Sequence, residues 1–188
     1  MEVYLIRHPR PNIEKGICYG QTDIGLNDQV LEGEFRAIRE KIPRAIDQLY
    51  TSPLARCKTI ALKLNSDFEV DERLKELNFG DWENRKWDAI DPGSLNRWMG
   101  DFVNVRTPHG ENYLDLQHRT LRFIEEVLGL RYQKIAILTH AGNIRSILSF
   151  VLELPLESSF RIHLDYGALV SVVIDENEYL NKLISLQN

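Results

Sequence analysis

The side chains able to do chemistry gather where apolar runs end. Arg7-His8 follows the run Val3–Ile6. The segment Thr51-Ser52-Pro53-Leu54-Ala55-Arg56 closes the run Gln48–Thr51, and Thr139-His140-Ala141-Gly142-Asn143 closes the run Lys134–Thr139. If these runs are parallel strands of one sheet, their carboxyl ends share one rim, which is where open α/β sheets bind ligands. Two arginines and two histidines then converge there with helix N-termini, in a chain whose net charge is −5. That combination makes an anion site, with phosphate as the obvious anion. Arginine offers phosphate a planar fork of charge-assisted hydrogen bonds, and helix N-termini add unpaired N–H groups and partial positive charge. A carboxyl candidate, Glu76, follows the possible short strand Phe68–Val70 and could reach the same rim.

Other phosphate and hydrolase chemistries lack their residues. The chain has no GxxxxGK[ST] loop, no GxGxxG, no HExxH and no GxSxG, and neither Cys18 nor Cys57 has an arginine six positions on. Metal, nucleotide-hydrolase and serine-hydrolase readings lose support, which leaves histidine as the candidate nucleophile.

The positioning elements follow from periodicity. Val3–Ile6, Gln48–Thr51, Lys134–Thr139 and the β-branched Leu169–Ile174 read as strands. Leu31, Phe35, Ile38 and Ile42 recur at helical spacing after the capping candidates Asn27 and Asp28. Ser52-Pro53 reads as N-cap plus first-turn proline for a helix carrying Cys57, Ile60, Ala61 and Leu64. Leu121, Ile124 and Leu128 give a third helix ended by Gly129; Ile144, Ile147, Leu148, Val151 and Leu152 give a fourth, stopped before Pro155. Strand–helix alternation with strands apolar on both faces predicts an α/β fold, with helices flanking a central mostly parallel sheet. Residues 81–111 fit that rhythm poorly. They are polar, hold Trp82, Trp87 and Trp98, and read as a small helical or irregular insertion over the sheet's carboxyl rim.

The 188 residues suffice for a single domain, 1–188, with one real core and no need of disulfides, since folding at this size buries roughly 70% of the surface. Hydrophobic residues at 43% and charged residues at 27% exclude a disordered or fibrous chain. The acidic balance argues against nucleic acid or an anionic membrane as partner. The start of the chain lacks a signal-peptide layout, and runs such as Ile135–Leu138 and Ala168–Ile174 are far short of a membrane span, so a soluble, cytoplasmic protein, monomer or homodimer, is expected. Cys18 and Cys57 read as small buried hydrophobes.

Leu5-Ile6-Arg7-His8, the block from Thr51 to Thr59, Leu74-Lys75-Glu76-Leu77-Asn78-Phe79-Gly80-Asp81-Trp82-Glu83 and Leu138-Thr139-His140-Ala141-Gly142 together resemble the histidine phosphatase superfamily, with its phosphoglycerate-mutase-like fold, a three-layer sandwich. Within it, Gly16-Ile17-Cys18-Tyr19-Gly20-Gln21-Thr22-Asp23 is most similar to the α-ribazole-phosphatase branch of cobalamin biosynthesis. The resemblance implies that His8 attacks phosphorus and carries it as phosphohistidine, that Arg7, Arg56 and His140 hold the phosphoryl oxygens, and that Glu76 protonates the leaving group and then activates water. Asn12, Gln21, Thr22 and Gly142 are the implied substrate contacts, and no cofactor or metal is required. The expected partner is a small phosphate ester.

The sequence departs from the family at the pocket mouth. Pro9 stands third in the Arg-His-Gly motif, so a backbone contact there is expected to be lost, and Pro11 replaces a hydroxyl residue. A family asparagine aligns with Glu14, with Asn12 as its substitute after a loop shift. Three readings follow: α-ribazole 5′-phosphate phosphatase, a mutase or broad sugar-phosphate phosphatase on the same fold, and a non-catalytic phospholigand-binding module. The tryptophans are expected mainly to pack the insertion, with stacking on an aromatic substrate as the rival role. His109 is a candidate for lining the entrance.

Overall fold

A computed structural model of the chain describes residues 1–65, 67–177 and 180–188. In chain order it carries β1 (Glu2–Arg7), α1 (Asp28–Lys41), β2 (Gln48–Thr51), α2 (Ala55–Leu64), β3 (Glu69–Val70), α3 (Pro92–Gly100), α4 (Tyr113–Leu128), β4 (Lys134–Thr139), α5 (Ala141–Val151), β5 (Leu169–Val173) and β6 (Lys182–Gln187), with short 3₁₀ turns between. The strands form one sheet in the order β3-β2-β4-β1-β5-β6. β1, β2, β3 and β4 pair in parallel, while β5 and β6 run antiparallel at one side.

Strand pleat divides the core into two. Val3, Leu5, Ile135, Ile137, Val170 and Val172 pack with Phe123 and Ile124 of α4 and with Ile144 and Ile147 of α5. Their alternates Tyr4, Ile6, Ala136, Leu138 and Leu169 pack with Leu31 and Ile38 of α1 and with Cys57 and Ile60 of α2. Side chains along a strand point to opposite faces, so strands apolar at both parities require helices on both sides. The three-layer sandwich follows.

The helix ends show how local sequence fixes the rim. Asn27 caps α1 through the Gln29 N–H, and Asn112 and Asp115 form a reciprocal capping box on α4. The expected Ser52 cap is corrected. α2 opens at Ala55, its cap residue Leu54 makes no side-chain cap bond, and the Ala55 N–H donates to Asp23 Oδ1 at 2.6 Å. Ser52 Oγ accepts from Leu54 N at 3.4 Å ahead of the helix and also faces His140 Nε2 at 2.8 Å. β6 is an element that periodicity did not reveal, because Lys182–Gln187 is largely exposed and lacks an apolar alternation.

Between Gly80 and Glu111 lie 3₁₀ turns at Gly80–Trp82 and Trp87–Ala89, then α3. Trp82 packs with Cys18 and Ile90 in a small separate cluster, with Phe79, Trp87, Leu95 and Trp98 against it. Among the described residues no helix is long and apolar enough to cross a membrane.

Candidate active site

β1, β2 and β4 are parallel neighbours, so the residues that follow them emerge side by side. His8 follows β1, Arg56 starts α2 after β2, and His140 sits between β4 and α5. All three are buried, His8 at 2% exposure and the other two at 0%. Arg56 donates from Nε to His140 Nδ1 at 3.3 Å, from Nη1 to Thr22 O at 3.0 Å and from Nη2 to Gly20 O at 2.5 Å. A guanidinium has five N–H donors in a fixed plane, so one N–H on each terminal nitrogen remains for a ligand. The imidazoles of His8 and His140 meet edge to face with ring centroids 5.0 Å apart.

Hydrogen bonds assign the protons. His8 Nδ1 lies 2.6 Å from Pro9 O. A carbonyl only accepts, so Nδ1 carries the hydrogen and Nε2 keeps its lone pair. The expected loss at Pro9 therefore applies to its nitrogen alone; its carbonyl orients the candidate nucleophile. For His140, an arginine Nε only donates, so Nδ1 accepts. The proton sits on Nε2, which faces Ser52 Oγ at 2.8 Å and Cys57 Sγ at 3.6 Å. Burial first, then the charges of Arg56 and Arg7, hold the His8 imidazole well below its ordinary pKa. Burial and Arg56 do the same to His140. Both rings are thus neutral at neutral pH, the state a nucleophilic imidazole needs.

Glu76 comes from the loop before the cavity wall. Its Oε1 accepts from Leu77 N at 2.9 Å, and its Oε2 accepts from Gly142 N at 3.2 Å at the start of α5. Gly142 leaves the carboxylate its place, because a Cβ there would lie 2.2 Å from Glu76 Oε1 and would displace it. Arg119 clamps the backbone that carries Glu76. Its Nη1 donates at 2.6 Å to both Arg73 O and Lys75 O, and its Nη2 donates to Glu76 O at 2.9 Å.

Arg7, His8, Glu76 and Gly142 line one cavity of about 220 Å³. Arg56 and His140 lie beneath it, with both ring nitrogens of His140 occupied by protein partners. Gln21 and Thr22 do not line the cavity. Their backbone N–H groups donate to Glu83 at 2.8 and 2.5 Å, and the Thr22 hydroxyl bonds the same carboxylate. Glu83 thereby holds the turn whose carbonyls receive Arg56. Gly20 in that turn has no space for a side chain, since a Cβ would lie 1.9 Å from Leu77 O. Asn12 is exposed and away from the cavity. His109 is exposed as well, bonded to Asp81 Oδ2 at 2.9 Å. Cys18 and Cys57 are buried thiols, and burial pushes Cys18 up to about 12.

Much of the rest of the cavity is aromatic. Phe79, Trp87, Trp98, Phe102, Tyr113 and Phe160 line it. Trp87 and Trp98 stack at 6.2 Å, and Trp98 Nε1 is buried with no hydrogen-bond partner among the described residues. The tryptophans therefore divide: Trp82 packs the segment, while Trp87 and Trp98 face the cavity. Arg145, also in the lining, donates from Nε to Ile162 O at 3.0 Å and lies 5.0 Å over Phe160. It forms no carboxylate ion pair among the described residues. Among those residues no group of three His, Cys, Asp or Glu side chains is set to hold a metal.

Residues 3–186 match the model of the histidine phosphatase superfamily, branch 1. The chain belongs to that superfamily. It is accordingly a phosphatase by class. Over 96% of its length it is 29% identical to a protein of Hydrogenobacter thermophilus named "Putative phosphoserine phosphatase 2", covering 95% of that protein. Over the same share it is 28% identical to a Yersinia pestis protein named "Probable phosphoglycerate mutase GpmB", covering 88% of it. The crystal structure of the α-ribazole phosphatase from Shigella flexneri superposes with a TM-score of 0.89 at 24% identity, over 100% of this chain and 96% of that one. That superposition establishes the phosphoglycerate-mutase-like fold. In this superfamily member the buried floor and the aromatic wall meet at His8.

Ser52, Glu83, Arg119 and Arg145 had not been singled out as site residues. Ser52 had a competing reading as a helix cap. Glu83 sat in a recognised block, yet only its bonds to the turn at 20–22 reveal its task. Arg119 and Arg145 are single basic residues on amphipathic helices, where spacing carries no signal of what they touch.

Proposed function

We propose that the chain hydrolyses a small phosphate monoester through a phosphohistidine at His8, without a metal. The observation that carries this reading is the His8 ring, neutral, with Nδ1–H fixed on Pro9 O and Nε2 free beside two arginines. The Nε2 lone pair attacks phosphorus while the ester P–O bond breaks, and Glu76, as the general acid, gives a proton to the departing alkoxide oxygen. Glu76 then takes a proton from water, the hydroxide attacks phosphorus, and the P–N bond breaks to return neutral His8. Arg7 and Arg56 stabilise the phosphoryl oxygens, with His140 as a third donor once its Ser52 bond is exchanged for one of them.

For the ester, the reading best supported is α-ribazole 5′-phosphate, released as α-ribazole and phosphate. Its support is the Gly16–Asp23 block together with the aromatic wall, in which Trp87 and Trp98 line the cavity as flat rings against which a benzimidazole could pack. A second reading, an ester of a small hydroxy acid such as phosphoserine or phosphoglycerate, draws on Arg145, a cation in the wall with no ion-pair partner among the described residues. Phosphate release at neutral pH in EDTA decides between them, comparing α-ribazole 5′-phosphate, phosphoserine and 3-phosphoglycerate with His8→Ala alongside. Fast release from the first ester alone, lost in His8→Ala, is the expected result. Preference for the acids would transfer the assignment to the second reading. Interconversion of phosphoglycerates without release would identify a mutase, and no turnover of any ester by folded protein would refute the enzyme reading.

A further inference from the structure

Two tyrosines lie under the two arginines of the site. The Arg7 Cζ sits 4.0 Å from the centroid of the Tyr166 ring, and the Arg56 Cζ sits 5.4 Å from that of Tyr19. The two phenols are bonded to each other, Oη to Oη, at 2.8 Å across 147 positions of sequence. The Tyr166 ring also approaches His8, with centroids 5.8 Å apart, while Tyr19 lines both the catalytic cavity and a neighbouring cavity of about 400 Å³ that Tyr166 helps to line. Arg10 meets Tyr166 only at 6.0 Å and is drawn outward by Glu34.

Arg7 has need of such a support. Among the described residues its hydrogen bond to protein is the one from Nη1 to Leu164 O, at 2.5 Å, and its buried Nε has no partner. One carbonyl fixes one atom of a guanidinium and leaves the plane free to rotate. A ring face beneath Cζ fixes the plane, because a guanidinium lies stably over an aromatic quadrupole. Arg56 is held by three hydrogen bonds already, so Tyr19 adds little to its orientation. The role of Tyr19 is to hold Tyr166, and through it to set the position of Arg7 relative to the fixed Arg56.

We propose that Tyr19 and Tyr166 form a hydrogen-bonded brace that sets the spacing and plane of Arg7 against Arg56, and so tunes the site to the phosphoryl group. Both are positioning residues. The proposal rests on the reading of the site as a phosphate site, and it concerns the phosphate half of the substrate, independent of which alcohol is attached.

The test is binding of inorganic phosphate by calorimetry, together with KM and kcat for two esters of different alcohols, in wild type and five variants. Tyr166→Leu removes the ring under Arg7 and is expected to weaken phosphate binding about 3- to 30-fold, the fold-change that matches one cation–π contact. The loss in kcat/KM should be equal for both esters. Tyr166→Phe keeps the ring and loses the link, with a smaller loss. Tyr19→Phe should match it, and the double Phe variant should be no worse than either single, because all three break one shared bond. Tyr19→Leu should fall between the two classes. Melting temperatures identify any variant that fails to fold, and the Phe variants then carry the test. Phosphate affinity unchanged in folded Tyr166→Leu, or additive losses in the double Phe variant, would overturn the brace. A wild-type protein that binds no phosphate would overturn the phosphate site itself, a distinct outcome.

Discussion

The floor of the cavity and its wall are built on different principles. On the floor, His8, Arg56 and His140 hang from the ends of parallel strands and the starts of helices. Backbone carbonyls orient two of them, Pro9 O for His8 and Gly20 O and Thr22 O for Arg56, while His140 is held by Arg56, Ser52 and Cys57 side chains. The wall is made of side chains from irregular segments, α3 and the turn at Phe160, which touch one another ring to ring. A backbone carbonyl persists when a side chain is substituted, whereas a ring does not. On the function proposed above, the floor carries the reaction and the wall selects the alcohol.

Variants can break that division. The largest effect is expected for His8→Ala, which removes the nucleophile and should cost at least about 10⁴-fold in kcat for every ester, read by phosphate release. Glu76→Gln follows, with a loss of about 10²–10⁴-fold in kcat that is greatest for esters with poor leaving groups. Rescue by an activated ester such as p-nitrophenyl phosphate should shrink that loss, and the absence of rescue would remove Glu76 from the acid role. Gly142→Ala drives a methyl toward Glu76 Oε1 and should lower kcat about 10-fold or more while leaving KM near wild type. Wall changes come next. Trp98→Leu should raise KM by about 10-fold for α-ribazole 5′-phosphate, and Arg145→Met should do so for phosphoserine or 3-phosphoglycerate in place of it if the second reading holds, with kcat and inorganic phosphate affinity unchanged. If either variant lowered kcat for every ester alike, floor and wall would be one unit, and the comparison would fail.

The last effect is on stability rather than on rate. His8 and His140 have folded-state pKa values below the ordinary 6.5. As pH falls through that value the unfolded chain takes up protons that the folded chain refuses, so stability is lost toward acid. The slope is up to about 1.4 kcal/mol per pH unit for each histidine. A melting temperature that falls between pH 7 and pH 5, less steeply in His140→Gln, is the expected result; a flat profile would contradict the burial of neutral rings. The same low pKa keeps the acid limb of kcat/KM attributable to His8 below pH 6.5.

Much of the floor was legible as pattern, because strands apolar on both faces must be sandwiched and parallel strands must present their carboxyl ends together. Val3–Ile6, Gln48–Thr51 and Lys134–Thr139 lie within β1, β2 and β4 or coincide with them. Ser52 misled because a serine before a proline fits a cap; its hydroxyl does accept from Leu54 N, but the helix opens only at Ala55 and the same hydroxyl faces His140 at 2.8 Å. β6 was missed because an exposed edge strand needs no apolar face. Gln21 and Thr22 were expected as substrate contacts from the resemblance, and their attachment to Glu83, about sixty residues on, is a long-range contact that no local pattern shows.

By itself the sequence determined most of the elements, their alternation, and the presence of Arg7, His8, Arg56 and His140 at element ends, since these depend on local periodicity and chain order. Only the tertiary structure decided which ring nitrogen of His8 is free, that Gly142 makes room for Glu76, that Trp87 and Trp98 face the cavity while Trp82 does not, and that Tyr19 meets Tyr166. Those are contacts between atoms distant in sequence, whose geometry comes from how the layers pack, and no local pattern encodes it.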